Sequence, residues 1–267
     1  AQATLHMFFN YAEGANAAAT KKGGGNHEED IQQALVAIHK CSIGMHPDQG
    51  VLLTYYDLTL RMAKPVLEKN LDLLQVVLQC LLGEQGVRHS NAVVRSRACY
   101  HLKRLAKVLR GSIANFFQDI LQAVYPLLVT PIPNPYGNNM PQFSPINGTG
   151  RTGGSPIVLK KNNRLSLYDM CGMLVSHLPQ DEDCVTYSKI LFAPLHQVIL
   201  NGMDGLSQEL AARGWPNCDA DVAGDYFADV IQAAGAATKT FPPTVPYEIK
   251  VLLQQALEAS MQIFLNF

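Results

Sequence analysis

Seven basic side chains lie close together between residues 88 and 110, in a stretch with no acidic residue from 85 to 118. They are a third of the chain's 21 lysines and arginines. Cations along one helical ridge can neutralise the phosphates of a nucleic acid, and an aromatic ring among them can stack on a base. We predict such contacts with a polyanion at Arg88, Arg97, Tyr100, Lys103, Arg104, Lys107 and Arg110.

The alternative for these residues is a structural or solvent-facing role, because charged outer faces are ordinary on helices. Arg95 is the seventh cation, and an arginine at its position in a stacked helical repeat commonly bonds to neighbouring backbone or carboxylate groups. We therefore expect Arg95 to be structural, and Arg97, Arg104 and Lys107 to be the better candidates for contact.

A second basic site is predicted at Lys160 and Lys161, with Arg151 and Arg164 nearby in sequence. A soluble linker is the competing interpretation of these residues.

No arrangement of residues points to catalysis. The glycine-rich stretch 148–154 lacks the Gly-Lys-Ser/Thr ending of a phosphate-binding loop, and no strand is predicted before it. The histidines are scattered, with His39 and His101 on or beside predicted core faces, and none has the spacing of a metal ligand set. We expect a protein that is not an enzyme and that uses no metal and no cofactor.

Composition indicates a folded globular chain, with 48% hydrophobic and 16% charged residues. The net charge of −1 attracts no polyanion by itself, so any such binding depends on local clustering. No apolar run reaches the roughly 18–20 residues that cross a bilayer, so we expect no membrane insertion. The chain starts and ends within helical patterns, which suggests an internal segment of a longer protein.

The basic residues lie on one of a series of amphipathic helices. With 100° per residue, the buried stripe of this helix is predicted to be Val94, Ala98, Leu102, Leu105 and Leu109. Lys103, Lys107 and Arg110 fall on the solvent face. The helices are predicted at residues 1–11, 28–42, 47–62, 65–81, 91–110 after an Asn91 cap, 112–129 after a Ser112 cap, 164–178, 181–203, 205–213, 219–238 and 247–267. The first helix is short, and the Ala-rich and Gly-rich residues that follow it up to residue 25 are predicted to form a flexible loop.

About ten helices in antiparallel pairs, repeating about every 40 residues, are typical of a HEAT or armadillo solenoid. We predict an all-α fold, with residues 1–267 forming one solenoid segment. Residues 130–163, which contain six prolines, are predicted to be a mobile insertion. A compact all-α bundle is the competing geometry.

Several short motifs occur in the same order as in a known family. They are Tyr55–Asp57, Gly86–Ser90, Val94–Arg97, Tyr100, Phe117–Leu121, Leu167–Val175 and Leu191–Leu195. Together they resemble the middle-to-C-terminal HEAT region of the exportin-T family, most clearly over residues 51–210. The chain departs from the family in its longer 130–163 insertion and in Asp169, where the family has Glu.

The resemblance implies a nuclear export receptor that carries tRNA together with GTP-bound Ran, interacts with nuclear pore proteins, and shuttles between nucleus and cytoplasm. It also implies that the main Ran contacts lie in N-terminal repeats outside this segment. The alternative is a HEAT-repeat scaffold or karyopherin segment that recognises protein cargo.

Overall fold

The computed structural model describes residues 2–19, 27–128, 159–213, 220–242 and 244–266. These ranges contain eleven α-helices and no β-strand, so the all-α prediction is confirmed. The chain divides into two compact units, Ala1–Ala123 and Val124–Phe267, which are described separately below. None of the described helices combines the length and the apolar character needed to cross a membrane.

The first unit is built from α1 to α6 and most of α7. Their bounds are α1 Gln2–Ala19, α2 His27–Lys40, α3 Gln49–Arg61, α4 Leu71–Leu82, α5 Ala92–Val108, α6 Arg110–Ala114 and α7 Phe117–Leu128.

Helices of the first unit pack against the next helix or the next but one. The α1 helix contacts α2 and α3, α2 contacts α4, and α5 contacts both α3 and α4. Contact between alternate helices is the packing of stacked helix pairs, because successive pairs align their first helices in one layer and their second helices in another. The predicted stacking of HEAT type is therefore present within this unit.

Two helix starts are set by asparagine caps. The Asn91 side chain accepts a hydrogen bond from the Val93 N–H at 2.8 Å, which confirms the predicted start of α5. The predicted start at Pro65 is wrong, because that residue lies within a π-helical turn at Ala63–Leu67. The α4 helix begins only at Leu71, after Asn70 accepts from the Leu73 N–H at 3.1 Å.

The predicted helix 112–129 is divided in two, and Ser112 lies inside α6 instead of capping a helix. The N–H of Phe116 bonds to the carbonyl of Ile113 at 2.9 Å, a tight i−3 bond that ends α6. The α7 helix then begins at Phe117, whose side chain is buried.

The second unit contains the end of α7 followed by α8 Lys161–Val175, α9 Asp181–Arg213, α10 Ala220–Thr238 and α11 Tyr247–Asn266. Here α8 contacts α9 and α10, while α11 contacts α9 and α10, so alternate helices again pack together. The predicted break between residues 203 and 205 is wrong, since α9 runs through Gly205 without interruption. A single glycine inside a helix costs only about 1 kcal/mol relative to alanine, which the rest of a long helix can offset.

A glycine allows the close approach of α8 and α10. A Cβ atom at Gly172 would lie 1.7 Å from the backbone oxygen of Ala237. No side chain fits at that distance, so Gly172 lets the two helix backbones meet directly.

Most of the predicted insertion at 130–163 lies outside the described residues. Its last residues are described, and Leu159 and Asn163 are buried there. The α8 helix starts at Lys161, three residues before its predicted start at Arg164.

Candidate nucleic-acid interface

The turn between α4 and α5 holds α5 in place. The Val87 N–H bonds to the Leu81 carbonyl at 2.8 Å, and a Cβ at Gly86 would lie 1.9 Å from that same oxygen. The buried Tyr56 hydroxyl of α3 donates to the Gln85 carbonyl of this turn. The turn therefore needs glycine at 86 and is tied to α3.

The buried stripe of α5 is the predicted one. Val94, Ala98, Leu102, Leu105 and Leu109 are each no more than 2% exposed. This orientation fixes where the basic side chains of α5 point.

Two of the seven cations bond to backbone carbonyls. Arg88, predicted as a contact residue, is half-buried, and its Nη2 donates to the Ala123 carbonyl of α7 at 2.9 Å. Arg95 donates from Nη1 to the carbonyls of His89 and Ser90, both at 2.7 Å, in agreement with its expected structural role. Both side chains help to hold the turn before α5.

Arg97 is paired with a carboxylate from another helix. Its Nη2 donates to Oδ1 of Asp57 on α3 at 3.0 Å, and its Cζ lies 5.4 Å from the ring centroid of Tyr100. The pair is about half exposed, so it is worth no more than about 1 kcal/mol to the fold. Its main effect is to orient the guanidinium group beside the Tyr100 ring.

A buried histidine lies behind this pair. His101 is 1% exposed, and its Nε2 lies 3.1 Å from Asp57 Oδ1. Neither ring nitrogen makes a hydrogen bond of good geometry within the described part of the chain. Burial lowers the pKa of His101 to about 4, and the nearby Asp57 carboxylate only partly opposes the shift. The imidazole is thus neutral at pH 7, and the Asp57 charge remains available to Arg97.

The remaining cations of α5 and the start of α6 lie beyond Tyr100. Arg104, Lys107 and Arg110 are exposed, and none forms an ion pair with a residue that the structure describes. Lys103 is half-buried and has an interaction partner. The exposed ridge formed by Arg104, Lys107 and Arg110 is therefore the least neutralised part of the predicted site.

The second predicted site belongs to the other unit and differs in chemistry. Lys161 forms an ion pair with Asp229 of α10, and Arg164 pairs with the other oxygen of that carboxylate at 2.9 Å. Lys160 is exposed. Arg151 lies outside the described residues.

The sequence analysis did not include Asp57 in the candidate interface. A signal for it was available, because Asp57 is the one acidic residue in an otherwise apolar and neutral stretch of α3 that ends at Arg61. The placement of His39 and His101 at core positions is confirmed, since both are buried. Among the described residues, no group of three or more His, Cys, Asp or Glu side chains could hold a metal ion.

Comparison with known proteins identifies a family. The family model described as Exportin-T matches residues 1–264. The chain is similar to Exportin-T of Dictyostelium discoideum, with 28% identity over 123 residues, which cover 46% of this chain and 11% of that protein. It is also similar to Exportin-T of Danio rerio, with 24% identity over 54% of this chain and 13% of that protein.

Exportin-T of Homo sapiens is 25% identical over 147 residues, which cover 55% of this chain and 13% of the human protein. The matched stretch thus spans about an eighth or less of each of these three relatives.

Proposed function

This chain belongs to the exportin-T family, and from that premise we propose that it is a segment of a nuclear export receptor for tRNA. The receptor carries tRNA in a complex with GTP-bound Ran, interacts with nuclear pore proteins, and shuttles between nucleus and cytoplasm. Its work is binding and release, and the chain itself catalyses no reaction. The main Ran contacts lie in repeats outside this segment.

The observation that supports RNA binding is the exposed ridge of Arg104, Lys107 and Arg110. Arg104 and Lys107 are three residues apart on α5, which places them about 4.5 Å apart along its axis, and Arg110 begins α6 directly after the Leu109 cap. Their charges are not neutralised by any described carboxylate. Such a ridge binds a phosphate backbone through charge and shape and needs no contact with base edges.

The ridge can be tested by its contribution to salt-dependent tRNA binding. Each cation that neutralises a phosphate releases counterions and adds about 0.7–0.9 to the slope of log affinity against log salt. In the full-length receptor with Ran-GTP, replacing Arg104, Lys107 and Arg110 with alanine should lower the slope by about 2 and weaken tRNA binding more than tenfold at low salt.

A matched control removes the same charge elsewhere in the same unit. Lys40, Lys64 and Lys69 are all exposed and lie outside the ridge. Their triple alanine variant should keep the wild-type slope to within about one unit. Equal losses in both variants would show that only net charge matters, and an unchanged slope in the ridge variant would remove the ridge from the tRNA surface.

The second candidate function is recognition of a protein cargo. It is favoured by the exposed apolar side chains beside the cations, since Val93 is 62% and Tyr100 is 44% exposed. Under this function an acidic protein surface, and not tRNA, would respond to the ridge substitutions.

A further inference from the structure

The exposed side of α5 carries an aromatic ring that is held in one orientation from two directions. The Arg97 guanidinium lies 5.4 Å from the Tyr100 ring centroid, and the His101 ring meets Tyr100 edge-on at 5.4 Å with an interplanar angle of 80°. His101 is buried and also contacts the Tyr56 ring at 5.8 Å. The exposed Tyr100 therefore rests on a fixed core residue.

Asp57 sets the charge and the orientation of the Arg97 side chain. Its carboxylate accepts from Arg97 Nη2 at 3.0 Å and so compensates the arginine charge. A guanidinium group that is already paired has less to gain from a phosphate, but its flat face still extends the stacking surface of a neighbouring ring. Asp57 thus makes Arg97 and Tyr100 a nearly neutral stacking surface.

The ridge begins directly beyond this surface. Arg104 and Lys107 follow Tyr100 by four and seven residues, so they lie on the same face, about 6 and 10 Å further along the helix axis. A neutral aromatic surface followed by cations that no described carboxylate neutralises is complementary to a nucleotide strand, whose flat bases alternate with charged phosphates.

We propose that Tyr100, with the Arg97 guanidinium that Asp57 holds beside it, stacks on an unpaired nucleobase of the bound RNA. The ridge meanwhile binds the adjoining phosphates. In this arrangement Tyr100 contacts the base, and Asp57 is a positioning residue that acts through Arg97. The proposal rests on the proposed function, because it specifies which part of an RNA meets this face.

The test compares two RNA probes with equal charge. One is a hairpin with a single-stranded overhang of four adenosines, and the other carries four abasic riboses in the same overhang. Binding of both is measured with the full-length receptor in the presence of Ran-GTP. The wild type should bind the adenosine probe about tenfold more tightly, which is the effect of one stacked base.

Three variants distinguish stacking from a structural role. Tyr100→Ala should reduce the ratio of the two affinities to about one, whereas Tyr100→Phe should keep it, because stacking needs only the ring. Asp57→Ala should lower the ratio and raise the salt slope by about one, since the released Arg97 becomes free to neutralise a phosphate. Tyr11→Ala, which removes an exposed tyrosine from α1, is the control and should leave both values unchanged.

The outcomes separate this inference from the proposed function. A wild-type ratio near one, or an unchanged ratio in Tyr100→Ala, overturns the stacking proposal even when the ridge variant still loses affinity. Loss of the ratio in Tyr100→Ala with no effect of Asp57→Ala on ratio or slope overturns the role of Asp57. Failure of the wild type to bind either probe or tRNA overturns the proposed function itself.

Discussion

Asp57 changes what the basic residues of α5 can do. Arg97 has an exposed side chain in a region with no acidic neighbour in sequence, but it pairs with a carboxylate from α3. Arg88 also has limited freedom, because its guanidinium donates to the Ala123 carbonyl. The role of each basic side chain therefore depends on the groups of neighbouring helices that it contacts. Arg104 and Lys107 have no ion-pair partner in the part of the chain that the structure describes, so we propose them for the electrostatic part of the candidate site.

Two buried histidines make the stability of the first unit depend on pH. Burial lowers the pKa values of His39 and His101 from 6.5 to about 4. Below pH 6.5 the unfolded chain binds protons that the folded chain does not, so stability is full above pH 6.5 and falls as the pH drops towards 4. Each histidine should cost about 1–2 kcal/mol of unfolding free energy between pH 7 and pH 5.

Urea unfolding followed by circular dichroism at pH 7 and pH 5 measures this loss. His101→Asn, which cannot titrate in this range, should lose less stability over the interval than the wild type. His6→Asn is the control, because His6 is exposed on α1. If His101→Asn and the wild type lost equal stability between pH 7 and pH 5, His101 would not be a source of the pH dependence.

At the scale of elements, the packing of one helix on another sets the geometry. The α5 helix contacts α3 and α4 and is preceded by a turn that Tyr56, Arg88 and Arg95 hold by hydrogen bonds to backbone carbonyls. These hydrogen bonds within the protein hold the start of α5 in place without any bound ligand. The site is consequently presented on a fixed helix and not on a free loop.

Helix contact in the second unit should be sensitive to one methyl group. Gly172→Ala places a Cβ 1.7 Å from the Ala237 carbonyl oxygen, so α8 and α10 must move apart. We expect a loss of about 2–3 kcal/mol in unfolding free energy, the cost of overpacking against a backbone that cannot yield locally.

Gly235→Ala in α10 is the matched control, because a Cβ at this position would meet no atom of a neighbouring element within 4 Å. That substitution should stabilise the protein by about 0.5–1 kcal/mol through helix propensity. Urea unfolding of both variants and the wild type measures the two changes in unfolding free energy. Equal effects of the two substitutions would mean that α8 and α10 do not approach closely.

On the scale of the whole molecule, charge and burial are distributed very unevenly. The net charge of −1 conceals a local ridge of cations that no described carboxylate neutralises, so we propose that a polyanion binds at this one face. Within each unit, the described core consists of apolar side chains that are buried where neighbouring and alternate helices pack together. Such packing also covers four of the five cysteines that the structure describes.

Thiol labelling tests this protection. Cys80, Cys99, Cys171 and Cys184 are buried, while Cys41 is exposed. Burial raises the pKa of Cys80 to about 11 and those of Cys99 and Cys171 to about 12, so these thiols are protonated as well as covered.

Because Cys218 lies outside the described residues, the measurement uses a Cys218→Ser background. At pH 7.5, an excess of a disulfide reagent such as DTNB should modify one thiol quickly in the native protein and all five in urea. Adding Cys41→Ser should remove the fast phase. Two or more fast thiols in the native protein would contradict the packing.

The amino-acid sequence by itself determined the local features of this protein. The spacing of Val94, Ala98 and Leu102 defined the buried side of α5, and Asn91 marked its start, because helix periodicity and capping depend on residues within a turn or two. The all-α class follows from the same local signals. So does the position of the basic cluster along the chain.

Only the tertiary structure decided which of these cations remain available. Asp57 reaches Arg97 from 40 residues earlier in the chain, and the Ala123 carbonyl reaches Arg88 from 35 residues later. The spacing of nearby residues does not predict such pairings, since they depend on which helices pack together and at what distance. A carboxylate that is remote in sequence becomes the nearest counter-charge once α3 and α5 lie side by side.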